Sequence, residues 1–133
     1  CKSASYQVLT QWFHPSQTQF CWCRLFYLYG EGEDARRLVP YIRSQLELGK
    51  RVLLTKGNQI RDFLEVSVAA KMIADIALSD TEGAFNICSG VPISVRDLAE
   101  NIADEYGRRD LLAFGERPDN VIDPVRVVGI RNL

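Results

Sequence analysis

The sequence has little with which to hold a metal ion. It contains one histidine, His14, and four cysteines, Cys1, Cys21, Cys23 and Cys88. A zinc site asks for CxxC-type pairs with a second pair, or histidines, at set spacing. Here the close pair, Cys21 and Cys23, is separated by one residue inside a stretch that reads as a strand, so both thiols point to one face as small apolar groups. No metal site is expected. The cysteines do not form a disulfide framework either, and a reduced, cytoplasmic setting is expected. No apolar run approaches the roughly 18 residues that span a bilayer. No signal-peptide pattern opens the chain, and no membrane partner is expected. An excess of charge is also missing, with 16 Lys and Arg against 17 Asp and Glu. That balance offers neither a nucleic-acid footprint nor a polybasic membrane patch.

What is present is the composition of an ordinary globular domain, 47% hydrophobic and 25% charged over 133 residues. Residues 2–13 read as a helix, with Tyr6, Leu9 and Phe13 at spacings of three and four and Pro15 ending it. An apolar strand starts at Phe20. Residues 36–48 form a second helix, with Leu38, Ile42 and Leu46 as its stripe, Pro40 tolerated in the first turn and Gly49 as terminator. A short strand at 51–55, a turn at Lys56-Gly57-Asn58 and a strand at 60–66 follow. Ser67 is the expected cap of a helix over 68–78 that buries Ile73, Ile76 and Ala77. After a strand at 83–88 and a turn at 89–92, Ser94 and Asp97 make a capping box. Behind it, Val95, Leu98, Ala99, Ile102, Ala103 and Tyr106 form one apolar helix face closed by Gly107. Short strands are expected at 111–114 and, as an edge, at 125–128. Strands alternating with helices predict an α/β architecture with a largely parallel sheet. The opening helix has no cap in front of it and the strand count is low, so the chain is expected to be part of a larger doubly wound domain.

The stretch that organises the rest is FCWCRLFYLYGEGED, residues 20–34. An apolar run without alternation reads as a strand covered on both faces. Gly30 and Gly32 then let the backbone turn sharply or approach something closely. Ligands of open α/β sheets bind just past the carboxyl ends of the strands. Residues 29–34 are therefore the first place to look for one, although a buried strand with its exit loop accounts for the same pattern.

Five motifs occur in order: RLFYLYGEGE at 24–33, RLVPYI at 37–42, LTKGNQIRDFLEV at 54–66, FNICSGVPISVRDLAENIA at 85–103 and FGERPD at 114–119. Together they resemble the C-terminal half of the NAD-dependent epimerase/dehydratase family, the extended short-chain dehydrogenases that act on nucleotide sugars. The resemblance covers nearly the whole chain. It implies the last elements of a Rossmann-like dinucleotide-binding domain at 1–30 and 60–80, and a small α/β nucleotide-sugar-binding region at 31–59 and 81–133. It also implies NAD or NADP as cofactor, a nucleotide-diphosphate sugar as substrate, and a missing N-terminal half carrying the glycine-rich fingerprint. A homodimer interface would show only residues 2–13 in this chain.

The resemblance carries over residue by residue. Lys2 stands where the lysine of the family's YxxxK pair belongs, the tyrosine falling four residues earlier, ahead of Cys1. Residues four apart share a helix face, and a nearby ammonium favours the tyrosinate, which then serves as a base near neutral pH. The family lysine also holds the nicotinamide ribose. Leu25, Phe26 and Tyr27 would pass beside the nicotinamide end of the cofactor, although core packing explains them too. Tyr27 replaces a common Asn that touches the substrate. Leu38 and Val39 would line the nucleotide-base side, or serve as core. Arg61 of the RDF motif would grip the diphosphate with its planar fork of donors, unless Asp62 draws it into a structural pair. Arg117 would be a second diphosphate ligand, or a solvated loop residue. Val68 replaces a common Asp near a helix start. The reading is an NAD(P)-dependent nucleotide-sugar epimerase or dehydratase fragment that does not turn over alone. A non-catalytic relative, a nucleotide-binding sensor or scaffold, is the competing reading, and the residue four before Lys2 separates the two.

Overall fold

A computed structural model describes residues 1–133. Helix α1 (Lys2–Phe13) leads into strands β1 (Cys21–Leu25) and β2 (Tyr27–Tyr29), which form one course interrupted at Phe26. Next come α2 (Leu38–Glu47), β3 (Val52–Leu53), β4 (Ile60–Arg61), β5 (Phe63–Glu65) and α3 (Val66–Ala77). The chain continues with β6 (Gly83–Ile87), β7 (Ile93–Ser94), α4 (Val95–Glu105), a 3₁₀ turn (Arg109–Leu111) and β8 (Leu112–Ala113). No helix is long and apolar enough to cross a membrane.

The pairs β1–β6, β2–β5 and β3–β8 are parallel, and β4–β7 is antiparallel. At the Phe26 interruption the central course changes neighbour. Phe26 N–H donates to Ile87 O and Tyr27 N–H to Asp62 O, both at 3.3 Å. Consecutive amides of an extended chain point to opposite edges, so β6 and β5 flank the course on either side.

Two apolar clusters result. In one, Ala69, Met72 and Ile76 of α3 pack on Leu64, Phe85 and Ile87, with Cys21, Cys23 and Leu28 alongside. The CxC thiols thus share one face of β1. In the other, Val39, Ile42 and Leu46 of α2 meet Val52 and Leu54, Ala99, Ile102 and Ala103 of α4, and Leu111. Val39, at the start of that stripe, is deeper than the half-buried Leu38.

Several local expectations change. The central strand is not covered on both faces, for Trp22 lies half-buried against the Tyr6 and Phe20 rings, Arg24 is exposed over the Tyr6 ring, and Leu25 is 54% exposed. The run at 60–66 is two strands, because its first half pairs antiparallel with β7 and its second half parallel with β2, so the ladder changes neighbour at Asp62. Helix α3 starts at Val66 instead of 68, and its cap is Glu65, which accepts from Ser67 N–H at 3.0 Å and Val68 N–H at 3.3 Å; Ser67 only adds its hydroxyl to the same carboxylate. The buried face of α3 is Ala69, Met72 and Ile76, leaving Ile73 36% exposed and Ala77 exposed. Helix α2 begins at Leu38, with Arg37 as its N-cap residue. The edge strand at 125–128 reduces to a single bridge between Ile60 and Arg126. In α4, Ser94 Oγ does accept Asp97 N–H, at 3.0 Å.

Candidate functional site

The central course ends in a turn that only glycine accommodates. Gly30 has φ 148°, and a Cβ there would lie 2.5 Å from Val66 Cγ1. The turn releases the chain toward α2. Between the loop, α2 and the β4–β5 joint lies a cavity of about 340 Å³. Tyr27, Leu28 and Phe63 supply its strand-side wall, Leu38 and Val39 the start of α2, and Arg61, Arg37, Glu33 and Asp123 its charges. Four of the sequence-predicted residues, Tyr27, Leu38, Val39 and Arg61, are therefore brought together.

Arg61 is 4% exposed. Its Nη1 donates to Ile60 O at 2.9 Å, and its guanidinium carbon lies 5.4 Å from the centre of the Tyr27 ring. No carboxylate pairs with it. Asp62 is committed elsewhere: its carboxylate accepts Ser89 Oγ–H at 2.6 Å, Ser89 N–H at 2.7 Å, Gly90 N–H at 2.8 Å and Gly129 N–H at 3.1 Å. Burial pushes the Asp62 carboxyl up, but those donors outweigh it and hold the group below the usual range. A buried cation that lines a cavity and forms no ion pair with the carboxylates there is suited to an anionic ligand.

Lys2 and Leu25 lie elsewhere. They line a second, larger cavity of about 750 Å³ together with Tyr6, Trp22, Cys23 and Arg24. Burial, then the neighbouring Cys21, pushes the Cys23 thiol up, so it is not a ready nucleophile. Phe26 belongs to neither cavity; its ring end lies 3.2 Å from where a Cβ on Gly129 would stand. Arg117 does not join Arg61. It is exposed, with its guanidinium carbon 4.6 Å from the centre of the Tyr41 ring. Sequence reasoning passed over Glu33, Arg37, Phe63 and Asp123 as lining residues. Glu33 falls inside the glycine-bearing segment at 29–34, and Arg37 and Phe63 inside the motifs at 37–42 and 54–66, whereas Asp123 carried no signal.

The NAD dependent epimerase/dehydratase family model matches residues 1–88. A dTDP-L-rhamnose 4-epimerase of Burkholderia thailandensis is 32% identical over 113 residues, 80% of this chain and 31% of that protein. A dTDP-6-deoxy-L-talose 4-dehydrogenase (NAD(+)) of Aggregatibacter actinomycetemcomitans is 24% identical over 111 residues, 83% of this chain and 41% of that protein. Among solved structures, a UDP-N-acetylglucosamine 4-epimerase from Methanobrevibacter ruminantium in complex with UDP-N-acetylmuramic acid superposes with a TM-score of 0.87 at 21% identity, covering 98% of this chain and 43% of that one. The chain spans less than half the length of each of these relatives. The family match to 88 of the 133 residues, with the parallel strand pairs and the five motifs in order, makes this chain a member of the NAD dependent epimerase/dehydratase family.

Proposed function

We propose that the chain is the C-terminal, substrate-binding part of an NAD- or NADP-dependent nucleotide-sugar epimerase or dehydratase. The observation that carries this is Arg61: an arginine 4% exposed, in no ion pair with a carboxylate, on a cavity walled by Tyr27, Leu38, Val39 and Phe63. A diphosphate supplies the missing negative charge, and the apolar start of α2 takes the base. Arg117, stacked on Tyr41, is left outside that contact.

The second cavity suits the nicotinamide end of a dinucleotide. Its observable fit is an apolar surface, Leu25, left 54% exposed at the carboxyl end of β1, with the Lys2 side chain on the same cavity. Lys2 would hold the ribose hydroxyls and lower the pKa of a tyrosine one helical turn before it, while Leu25, Phe26 and Tyr27 shape the strand end beside the ring. When bound, the nicotinamide exchanges a hydride with a sugar carbon. The outer face of α1 buries none of its residues and displays Val8 and Trp12, which we assign to a homodimer contact.

The test is calorimetric binding of UDP and dTDP to the full-length protein. Arg61→Ala is expected to weaken both by about 1.5–3 kcal/mol, the range for hydrogen bonds to charged groups. Arg61→Lys recovers part of it, keeping the charge without the fork. Unchanged affinity in a folded Arg61→Ala protein refutes the reading.

A further inference from the structure

Arg61 is held in a way that leaves part of it free. A guanidinium carries N–H donors along its edge and presents a flat face on either side. Along the edge of Arg61 the protein supplies one acceptor, Ile60 O, which takes Nη1–H at 2.9 Å. Nε and Nη2 make no hydrogen bond, yet neither is a buried atom without a partner, a state confined to Glu33 Oε2. Both therefore keep accessible surface, on a residue that is otherwise 4% exposed and lines the cavity. One face is taken by Tyr27, whose ring centre lies 5.4 Å from the guanidinium carbon, within reach of a cation–π contact. That ring is itself fixed. Tyr27 stands opposite Phe63 in the β2–β5 ladder, and the two rings lie 5.8 Å apart at 53°. The Tyr27 N–H donates to Asp62 O at 3.3 Å.

A carboxylate and an aromatic ring do not hold an arginine alike. A carboxylate takes the edge. Arg109 shows this: its Nε and Nη2 donate to Asp104 and its Nη1 to Glu100, so the edge that a ligand would need is occupied. A ring takes the face and leaves the edge donors open. It also offsets part of the cost of burying the charge and restrains a long side chain with many rotamers. We infer that Tyr27 is a positioning residue: its ring holds the Arg61 guanidinium by the face, so that Nε and Nη2 meet the diphosphate of the substrate already oriented. The inference rests on the diphosphate reading of Arg61. Tyr27 then acts through Arg61, in place of a hydrogen bond of its own to the substrate.

The experiment measures UDP and inorganic pyrophosphate binding by calorimetry to full-length wild type, Tyr27→Leu, Tyr27→Phe, Arg61→Ala and the Tyr27→Leu/Arg61→Ala double variant, each checked for folding by thermal melt. Tyr27→Leu is expected to weaken both ligands about tenfold, the scale of a desolvated cation–π contact. Tyr27→Phe, which keeps the ring, recovers most of that loss. In the Arg61→Ala background, Tyr27→Leu changes either affinity by less than about twofold. Equal loss in both backgrounds, or no recovery in Tyr27→Phe, reveals a direct contact between Tyr27 and the ligand and overturns the inference. Wild-type affinity in Tyr27→Leu, with Arg61→Ala weakened, overturns it while leaving the role of Arg61 standing. Unchanged binding in Arg61→Ala overturns the diphosphate reading and this inference with it. If Tyr27→Leu fails to fold, phenylalanines with increasing ring fluorination at position 27 replace it. They keep the shape of the ring and weaken its negative face, so affinity falls with each fluorine. A flat series overturns the proposal.

Discussion

Removing the Asp62 carboxylate should unlock three segments at once. Asp62 is 0% exposed and accepts from Ser89 twice, from Gly90 and from Gly129. In Asp62→Ala the Ser89 hydroxyl retains an alternative acceptor in Val91 O, at 3.4 Å. Gly90 is exposed, so water satisfies its amide. The half-buried Ser89 amide and the buried Gly129 amide have no such recourse. Two orphaned donors at about 1–3 kcal/mol each, combined less than additively with the lost charge-assisted bonds, give a destabilisation of about 3–5 kcal/mol. Asp62→Asn should cost nearly as much, because its NH₂ group faces amides that are themselves donors. The pH dependence follows from the direction of the shift. The folded carboxyl is held below its ordinary value, so its stabilisation is present above an unfolded pKa of about 3.9 and is lost as pH falls through the lower folded value. Urea denaturation at pH 7 and in steps below about pH 4 measures both effects. An Asp62→Asn midpoint within about 0.5 kcal/mol of wild type would refute the clamp, as would an unchanged acid dependence.

Gly129→Ala should destabilise by about 1–3 kcal/mol through overpacking, since the added Cβ would meet Cys88 Sγ and Phe26 Cζ 3.2 Å away, and thermal melts read it directly. Ile102→Ala, at a site 4% exposed between α2 and α4, should cost about 2–5 kcal/mol. Ile73→Ala, at a site 36% exposed on α3, should cost under about 1 kcal/mol; equal losses at the two positions would contradict the described packing. Ser94→Ala removes the cap on Asp97 N–H and should cost about 1 kcal/mol in denaturant, with Ser94→Asp restoring most of it.

The sequence by itself determined what depends on local periodicity and capping. The extent of α1, the Ser94 start of α4, the Ile42 and Leu46 positions of the α2 stripe and the shared face of Cys21 and Cys23 all follow from spacings within one element. Motif order along the chain was likewise enough for the family. Tertiary structure alone decided what depends on residues distant in sequence. The run at 60–66 carries no local signal for its division, because the strands that pair with its two halves, β7 and β2, lie elsewhere in the chain. Glu65 took the cap of α3 from Ser67 because the backbone leaves β5 extended, with ψ 138° at Glu65, and turns helical one residue later. Which side of α3 is buried depends on where β1 and β6 lie, so Ala69 and Met72 take the buried places that the periodic reading gave to Ile73 and Ala77. Arg61 and Arg117 are alike as sequence, two arginines in polar motifs. Only the fold leaves one buried and unpaired on a cavity and stacks the other on Tyr41 in solvent, because burial and partnership are properties of the surrounding chain.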